Sequence, residues 1–333
     1  MNMPARECNL FMILCLALAG SLPVHAADKP NIVYLIADDL GNKDAGFRGG
    51  TFSTPHLDKL AASGVTLNNF YVQPFSSQTR AALLTGRYPM RYGLQTMSIV
   101  PSSQFGLPTE ERTLAQGLKD VGYRTAFIGK WQLGHAKPEF WPTRRGFDYF
   151  YGTLSDEVHD RVRKSSGGDW RRSDQVVKED GLVTQLLAKD AVDQINKQDA
   201  STSMFLVVAF NAPGADASAE TGRGYAAGVS ALDDAIGQVI EALENKQMLA
   251  NTLIVFHSDN GGAVPTKFAT GDNDVRQTGA DNGIYREGKG SLYEGGVRVA
   301  ALAIWPQRIK ARSVVTRLLH VTDMYPTLLR VAG

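Results

Sequence analysis

The chain alternates short, nearly continuous apolar runs with segments that carry helix signals, and this alternation constrains its fold more than any other feature. Residues 31–37, with the sequence NIVYLIA, form the first such run. A strand that is apolar at nearly every position is typical of a parallel sheet covered on both faces. Three later runs have the same character, and they occupy residues 123–128, 204–210 and 251–256. These runs are predicted to be buried strands of one sheet.

The segments between these runs favour helices. Thr54 supplies a capping residue, Pro55 suits the first helical position, and Gly64 ends this predicted helix. Residues 112–121 form a second helix-like segment, and residues 224–246 place apolar side chains along one face of a long helix. Strands and helices that alternate in this way predict an α/β fold with a mostly parallel central sheet flanked by helices.

Polar side chains follow two of the predicted strands at the point where each strand ends. Asp38 and Asp39 come directly after the first strand, and Asp259 and Asn260 follow the strand at 251–256. In parallel α/β sheets, ligands bind beyond the carboxyl ends of the strands. Four oxygen-bearing side chains at that edge suit Ca²⁺ or Mg²⁺. Each pair also fits an ordinary turn or helix cap, so spacing alone leaves a metal site and a structural role both open.

The N-terminal segment differs in character from the rest of the chain. Arg6 precedes an apolar run at residues 10–22, and residues 24–26 (VHA) resemble a cleavage site. This pattern predicts a signal peptide over residues 1–26, because the run is too short and wrongly flanked for a membrane anchor. The mature chain, residues 27–333, is therefore expected to be a single α/β catalytic domain, exported to the periplasm or secreted, without a stable membrane anchor.

Cysteine content and net charge argue against cysteine chemistry and against nucleic-acid binding. Cys8 and Cys15 both lie in the predicted signal peptide, so the mature domain has no disulfide, no thiolate nucleophile and no cysteine metal site. The 333 residues carry a formal net charge of +1. A general nucleic-acid binder needs a clustered excess of Lys and Arg, so this balance argues against a nucleic-acid partner.

Residues 73–89, QPFSSQTRAALLTGRYP, look like a reactive loop that runs into a helix. Together with other blocks in the same order, this stretch resembles the sulfatases of the alkaline phosphatase superfamily, in particular the arylsulfatase B-like branch, over residues 29–333. The blocks that carry the resemblance are NIVYLIADDLG, TPHLDKLAASGV, TRAALLTGRYPMRYGLQ, GYRTAFIGKWQLG, PTRRGFDYFYG, LIVFHSDNGG, GKGSLYEGGVRVAA and HVTDMYPTLLRVAG. The resemblance implies hydrolysis of a sulfate ester of a phenol, sugar or polysaccharide.

The resemblance also implies roles for individual residues. A maturation enzyme would oxidise Ser76 to formylglycine, Arg80 would support that residue, and Lys130 and Lys289 would grip the sulfate. One divalent ion, usually Ca²⁺ with Mg²⁺ as the alternative, would be held by Asp38, Asp39, Asp259 and Asn260. The hydrated aldehyde of formylglycine has two hydroxyls, one to attack sulfur and one to expel sulfate. Unmodified Ser76 lacks the second hydroxyl and would predict an inactive or single-turnover protein.

The chain departs from the family pattern at three positions. Gln78 stands where the family has Pro or Ala, which affects recognition by the maturation enzyme. Gln132 and Gly214 replace two histidines that assist the reaction. Neither residue transfers a proton near neutral pH, and acid–base help is worth about 10²–10⁴-fold per group. His135 and His257 are the candidates to substitute. The other mature histidines are His56, His159 and His320.

Three functions follow from these observations. The first is an exported, metal-dependent sulfatase whose activity is impaired by the loss of the two histidines. The second is a degenerate sulfatase-like protein that binds metal and anion without turnover. The third is a phosphoesterase in which Ser76 attacks directly, although such relatives generally use two metal ions and the sequence offers ligands for one. The resemblance also implies a smaller C-terminal subdomain; because the sequence ends at Gly333, the chain is expected either to be a truncated product or to keep only the larger domain.

Overall fold

The computed structural model describes residues 29–96, 98–155, 161–162, 169–214, 224–264 and 279–333. Its strands are β1 (Asn31–Asp38), β2 (Val65–Leu67), β3 (Phe70–Tyr71), β4 (Arg124–Lys130), β5 (Tyr149–Thr153), β6 (Arg161–Val162), β7 (Trp170–Arg172), β8 (Gln175–Val176), β9 (Gly181–Leu182), β10 (Met204–Pro213), β11 (Thr252–Ser258), β12 (Ala301–Ile304), β13 (Ser313–Val315) and β14 (Leu319–His320). Its helices are α1 (Pro55–Ser63), α2 (Ser76–Thr85), α3 (Leu114–Asp120), α4 (Val183–Asn196), α5 (Gly224–Asn245), α6 (Glu294–Val297) and α7 (Met324–Ala332). Short 3-10 helices occupy Gly46–Arg48, Pro89–Tyr92, Pro138–Phe140, Pro142–Arg144, Leu249–Asn251 and Val321–Asp323.

A ten-stranded sheet with the order β13-β2-β12-β11-β1-β10-β4-β5-β7-β8 forms the centre of the molecule. The neighbours β11, β1, β10, β4 and β5 are parallel, whereas β12 and β7 run antiparallel to the strands beside them. The prediction of an α/β fold with a mostly parallel sheet is therefore confirmed. All four predicted strands lie in this parallel centre.

The apolar runs form interior strands because both faces of the sheet are covered. Along β1, Ile32, Tyr34 and Ile36 enter one hydrophobic core, and the residues between them enter a second core on the opposite face. Every residue of β10 is buried. Consecutive apolar residues are stable in a strand only under such two-sided burial, which explains the absence of a polar–apolar alternation in these runs.

The start of α1 differs in one detail from the prediction. Thr54 is the N-cap residue, but its side chain makes no capping hydrogen bond. Instead, the buried carboxylate of Asp233 on α5 accepts hydrogen bonds from the N–H groups of His56 (3.0 Å) and Leu57 (2.8 Å). The Thr54 hydroxyl accepts from Gly46 N–H (2.7 Å), so it holds the preceding turn. The capping group thus comes from a residue far away in sequence.

The predicted signal peptide, residues 1–26, and His159 lie outside the residues that the structure describes. Within the described ranges, no helix combines the length and the apolar character needed to cross a membrane.

Candidate active site

The polar residues that follow the central strands converge at one edge of the sheet. β1 ends at Asp38, β4 ends at Lys130, and β11 ends at Ser258, directly before Asp259 and Asn260. Because β11, β1, β10 and β4 are consecutive and parallel, their carboxyl ends meet at the same edge. The two pairs, Asp38–Asp39 and Asp259–Asn260, lie together despite a separation of some 220 residues in sequence, and Asp39 N–H donates to Asp259 Oδ1 at 3.3 Å.

Three carboxylates at this edge each have a cationic partner. Lys130 Nζ lies 3.1 and 3.0 Å from the two carboxylate oxygens of Asp38. Arg80 Nη2 lies 2.9 Å from Asp259 Oδ2. Lys289 Nζ lies 2.7 Å from Asp39 Oδ2, and its side chain is 28% exposed whereas the side chains of Arg80 and Lys130 are 2% exposed. Buried charges at this density are stable only when they are paired, which the three ion pairs achieve.

The acidic residues also fit a divalent cation. Oxygen atoms of Asp38, Asp39 and Asp259 lie within 4.8 Å of one another, and all three residues are buried. Ca²⁺ binds oxygens at about 2.3–2.6 Å, so oxygens about 5 Å apart can share one ion. The Asn260 side chain belongs to the same group, since its Nδ2 donates to Asp39 Oδ1 at 2.7 Å. The donor set is hard and oxygen-rich, as Ca²⁺ and Mg²⁺ require.

Ser76 reaches this group from the start of α2. Its Oγ lies 3.4 Å from Asp38 Oδ1 and 3.2 Å from Asn260 Oδ1, and the residue is 3% exposed. Arg80 lies one helical turn later, on the same face of α2, and also donates to the backbone carbonyl of Lys130. The first residues of a helix present unpaired N–H groups and the positive end of its dipole. Ser76 thus sits where developing negative charge is stabilised.

Backbone conformation is unusual around this site. Asp39 has φ +64° and Gln132 has φ +52°, both in the left-handed region that is costly for residues other than glycine. Gly214 has φ +63°, and its N–H donates to Asp38 carbonyl oxygen at 2.9 Å. A Cβ at this position would lie 2.7 Å from the carbonyl oxygen of Asn211. Residue 214 therefore contacts the end of β1 through its backbone N–H, and it offers no side chain to the site.

Both candidate histidines make polar contacts of their own. Both ring nitrogens of His257 are engaged, one with Ser258 carbonyl oxygen (2.7 Å) and one with Tyr34 hydroxyl (2.9 Å). Burial lowers the pKa of His257 to about 4, so the ring is neutral in the folded protein. His135 lies nearer the surface, where its Nε2 is 2.9 Å from Pro101 carbonyl oxygen. Each ring is anchored by contacts of its own, which favours a structural role.

Sequence reasoning missed the residues that hold the turn after β1. Ser258 Oγ accepts a hydrogen bond from Leu40 N–H at 2.9 Å. The hydroxyl of Tyr225 lies 3.1 Å from Asp39 carbonyl oxygen. Nothing in the local sequence distinguishes Tyr225 from the other apolar positions of α5, because its partners lie more than 180 residues away.

Comparisons with known proteins agree with this geometry. The family model described as Sulfatase matches residues 30–333. Arylsulfatase J of Mus musculus is 35% identical over 326 residues, which cover 91% of this chain and 52% of that protein. N-acetylgalactosamine-6-sulfatase of Mus musculus is 34% identical, with coverages of 97% and 66%. The chain thus spans about half to two thirds of the length of these curated relatives.

A solved structure extends the likeness to three dimensions. The crystal structure of Ps i-CgsB in complex with k-i-k-neocarrahexaose superposes with a TM-score of 0.82 and 34% sequence identity. The matched region covers 92% of this chain and 72% of that one.

Proposed function

The chain belongs to the sulfatase family of the alkaline phosphatase superfamily, and from this membership we propose that it hydrolyses sulfate esters in a metal-dependent reaction. One observation carries the proposal. The hydroxyl of Ser76, the buried carboxylates of Asp38 and Asp259, and the side chains of Lys130 and Arg80 meet at the carboxyl edge of one sheet. A nucleophile flanked by fixed cations in a dry site matches the requirements of sulfate ester cleavage.

The proposed cofactors would be held by residues already described. Asp38, Asp39, Asp259 and Asn260 would bind Ca²⁺, and Ser76 would be present as formylglycine. When present, these groups supply charge stabilisation of the sulfate oxygens and a nucleophile that regenerates after each turnover. The protein itself would supply the side chains that bind the sulfate and orient Ser76.

Lys130 and Lys289 would contact the sulfate oxygens from two sides. Arg80 would orient Ser76 by fixing the carboxylate of Asp259 and the carbonyl of Lys130, both of which lie at the carboxyl edge of the sheet. These groups are held in place before substrate binds, so they need not reorganise as charge develops in the transition state.

The substrate is proposed to be an aryl or carbohydrate sulfate ester. The curated relatives are named for aryl sulfate and N-acetylgalactosamine-6-sulfate hydrolysis. The k-i-k-neocarrahexaose in complex with Ps i-CgsB, a protein of 34% identity, supports a carbohydrate sulfate in particular.

Turnover is proposed to be impaired for substrates with poor leaving groups. Gln132 is buried, and its amide offers hydrogen bonds but cannot act as an acid or a base near neutral pH. Gly214 offers only its N–H, which already donates to Asp38. Without a general acid, the rate depends on how readily the alcohol or phenol departs unprotonated.

Oxidation of Ser76 is proposed to precede folding and export. In the folded protein Ser76, Gln78 and Arg80 are 3%, 0% and 2% exposed, so a converting enzyme has no access to this stretch. The proposal of an exported protein, periplasmic or secreted, requires that the maturation enzyme act on the unfolded chain before or during passage out of the cytoplasm.

The mass of the peptide that contains Ser76 tests the proposal directly. In protein purified from its native host, conversion of Ser76 to formylglycine is expected to lower the peptide mass by two hydrogens. The same preparation is expected to release sulfate from p-nitrophenyl sulfate. An unshifted peptide with Ca²⁺ binding but no hydrolysis would instead indicate a binding protein. An unshifted peptide with phosphate release from p-nitrophenyl phosphate would indicate a phosphoesterase.

Calcium is expected to stabilise the protein more at high pH than at low pH. Burial, together with the carboxylates of Asp38 and Asp39, raises the pKa of Asp259 to about 7. In the metal-free protein, folded Asp259 therefore keeps a proton that the unfolded chain releases, so stability falls as pH rises from about 4 to about 7. Ca²⁺ binds the ionised carboxylates and removes this loss.

The measurement is the melting temperature in Ca²⁺ and in EDTA across this pH range. The increment caused by Ca²⁺ is expected to grow with pH, and to become small and independent of pH in Asp259→Asn. A wild-type increment that is constant with pH, or absent, would contradict metal binding by these carboxylates.

A further inference from the structure

The turn that carries Asp39 is held from outside the site by two residues with no assigned role, Tyr225 and Asp44. Asp39 has a left-handed backbone (φ +64°), a conformation that costs about 1–3 kcal/mol unless the surroundings impose it. Its carboxylate must nevertheless point at Asn260 Nδ2 and Lys289 Nζ, each 2.7 Å away. The contacts that fix this turn therefore decide where a metal-binding carboxylate lies.

The hydroxyl of Tyr225 contacts the turn at three points. It lies 3.1 Å from Asp39 carbonyl oxygen and 2.5 Å from Asp44 Oδ2, and it accepts from Gly41 N–H at 3.1 Å. Tyr225 is 5% exposed and lies on α5, a long helix packed against β10. A core tyrosine that needed only to satisfy its hydroxyl would require one partner. Within the described residues, the hydroxyl of Tyr225 makes three polar contacts, and all go to residues 39–44.

Asp44 holds the same turn through hydrogen bonds to its carboxylate. Its Oδ2 accepts from Gly41 N–H at 2.8 Å, and its Oδ1 accepts from Asp281 N–H at 3.0 Å. The turn is tight, because a Cβ on Gly41 would lie 2.4 Å from Asp44 Oδ2 and 2.5 Å from Asp281 carbonyl oxygen. Lys43 N–H returns a hydrogen bond to Asp281 carbonyl oxygen at 2.9 Å.

Further hydrogen bonds connect this turn to the segment that carries Lys289. Asn282, next to Asp281, accepts from Gly262 N–H (2.9 Å) and donates to Glu287 carbonyl oxygen (2.9 Å). Lys289 N–H in turn donates to Gly262 carbonyl oxygen at 3.2 Å. A disturbance of Asp44 would thus displace both the Asp39 carboxylate and the lysine paired with it.

We propose that Tyr225 and Asp44 are positioning residues, which hold the Asp39 turn in its left-handed conformation and so set the affinity of the site for Ca²⁺. The inference rests on the proposed metal-dependent function. Within the described residues, the hydrogen bonds of Tyr225 and Asp44 go to the turn at residues 39–44 and to Asp281, not to Ser76. They act through Asp39, as hydrogen-bonded partners of metal ligands do in general, where their removal costs about 10–100-fold in affinity.

Tyr225→Phe tests this role, with Tyr123→Phe as a matched control. Both tyrosines are buried, but the hydroxyl of Tyr123 donates to Pro30 carbonyl oxygen (2.7 Å) at the opposite end of the sheet. Calcium affinity of the full chain is measured by titration calorimetry, and the melting temperature of the metal-free protein is measured beside it. We expect Tyr225→Phe to bind Ca²⁺ about 10–100-fold more weakly. Tyr123→Phe should lower only the melting temperature.

Three other results would overturn the inference. Unchanged Ca²⁺ affinity in Tyr225→Phe, with a lowered melting temperature, would make Tyr225 an ordinary core residue. Should Tyr225→Phe fail to fold, Asp44→Asn is judged by the same criterion, with weaker Ca²⁺ binding in support and unchanged binding against. A wild-type protein that binds no Ca²⁺ would overturn the metal-dependent function, and the inference with it. The two failures are distinguishable, because in this last case the wild type itself binds no Ca²⁺, whereas in the first case wild type and Tyr225→Phe bind Ca²⁺ equally well.

Discussion

Ser76→Ala is expected to lower kcat/KM for p-nitrophenyl sulfate by roughly 10⁴- to 10⁶-fold, the loss typical of removing a nucleophile from an organised site. Alanine can neither attack sulfur nor be oxidised to formylglycine. The fold should tolerate the change. Alanine favours helices, and the contacts of Ser76 Oγ with Asp38 and Asn260, at 3.4 and 3.2 Å, are long for hydroxyl hydrogen bonds. The melting temperature should therefore change little while turnover is lost.

Ser77→Ala is the matched control for this result. Ser77 is also buried at the start of α2, but its Oγ accepts from Ile99 N–H at 2.9 Å rather than facing the carboxylates. Its removal leaves a buried N–H without that partner and is expected to cost about 1–3 kcal/mol of stability, with kcat/KM preserved in the folded fraction. If Ser76→Ala kept more than about one tenth of the wild-type rate, the nucleophile would have to be another group.

The fold was predictable because its signal is local. Each central strand is a run of apolar residues long enough to be recognised by itself, and two-sided burial follows from that composition. The position of Asp38 and Asp259 at one edge followed as well, since parallel strands place their carboxyl ends together. The contact between the two pairs also requires that β11 and β1 are neighbours, and this strand order was not predicted from the sequence.

The supporting contacts were not predictable, because they join residues far apart in sequence. The cap of α1 is supplied by Asp233 rather than by the adjacent Thr54. The turn of Asp39, directly after β1, is held by Tyr225 of α5. In both cases the sequence carries an ordinary polar or aromatic residue whose partner is decided by packing. Roles that arise in this way are visible only once the elements are placed in space.

Lys130→Met is expected to lower kcat/KM for the same aryl sulfate by about 10²–10³-fold, the usual cost of removing one fixed group that stabilises transition-state charge. Methionine keeps the aliphatic length of lysine and removes its charge. The change also leaves Asp38 with less compensation, since Arg80 Nη2 is 4.0 Å from Asp38 Oδ1. Breaking a buried ion pair costs about 3–5 kcal/mol, so the metal-free variant should also be less stable.

Calcium binding distinguishes two roles of Lys130, which are to neutralise Asp38 and to contact the sulfate. A bound cation compensates Asp38 directly, so the stability lost in Lys130→Met should be largely restored by Ca²⁺, whereas the lost turnover should not. The control is Lys119→Met, which breaks an exposed ion pair with Asp148 and should cost at most about 1 kcal/mol, without effect on turnover. Melting temperature and kcat/KM are measured for each variant with and without Ca²⁺. If Ca²⁺ restored both quantities together, Lys130 would serve only to neutralise Asp38, and the grip on sulfate would have to come from Lys289 and the ion.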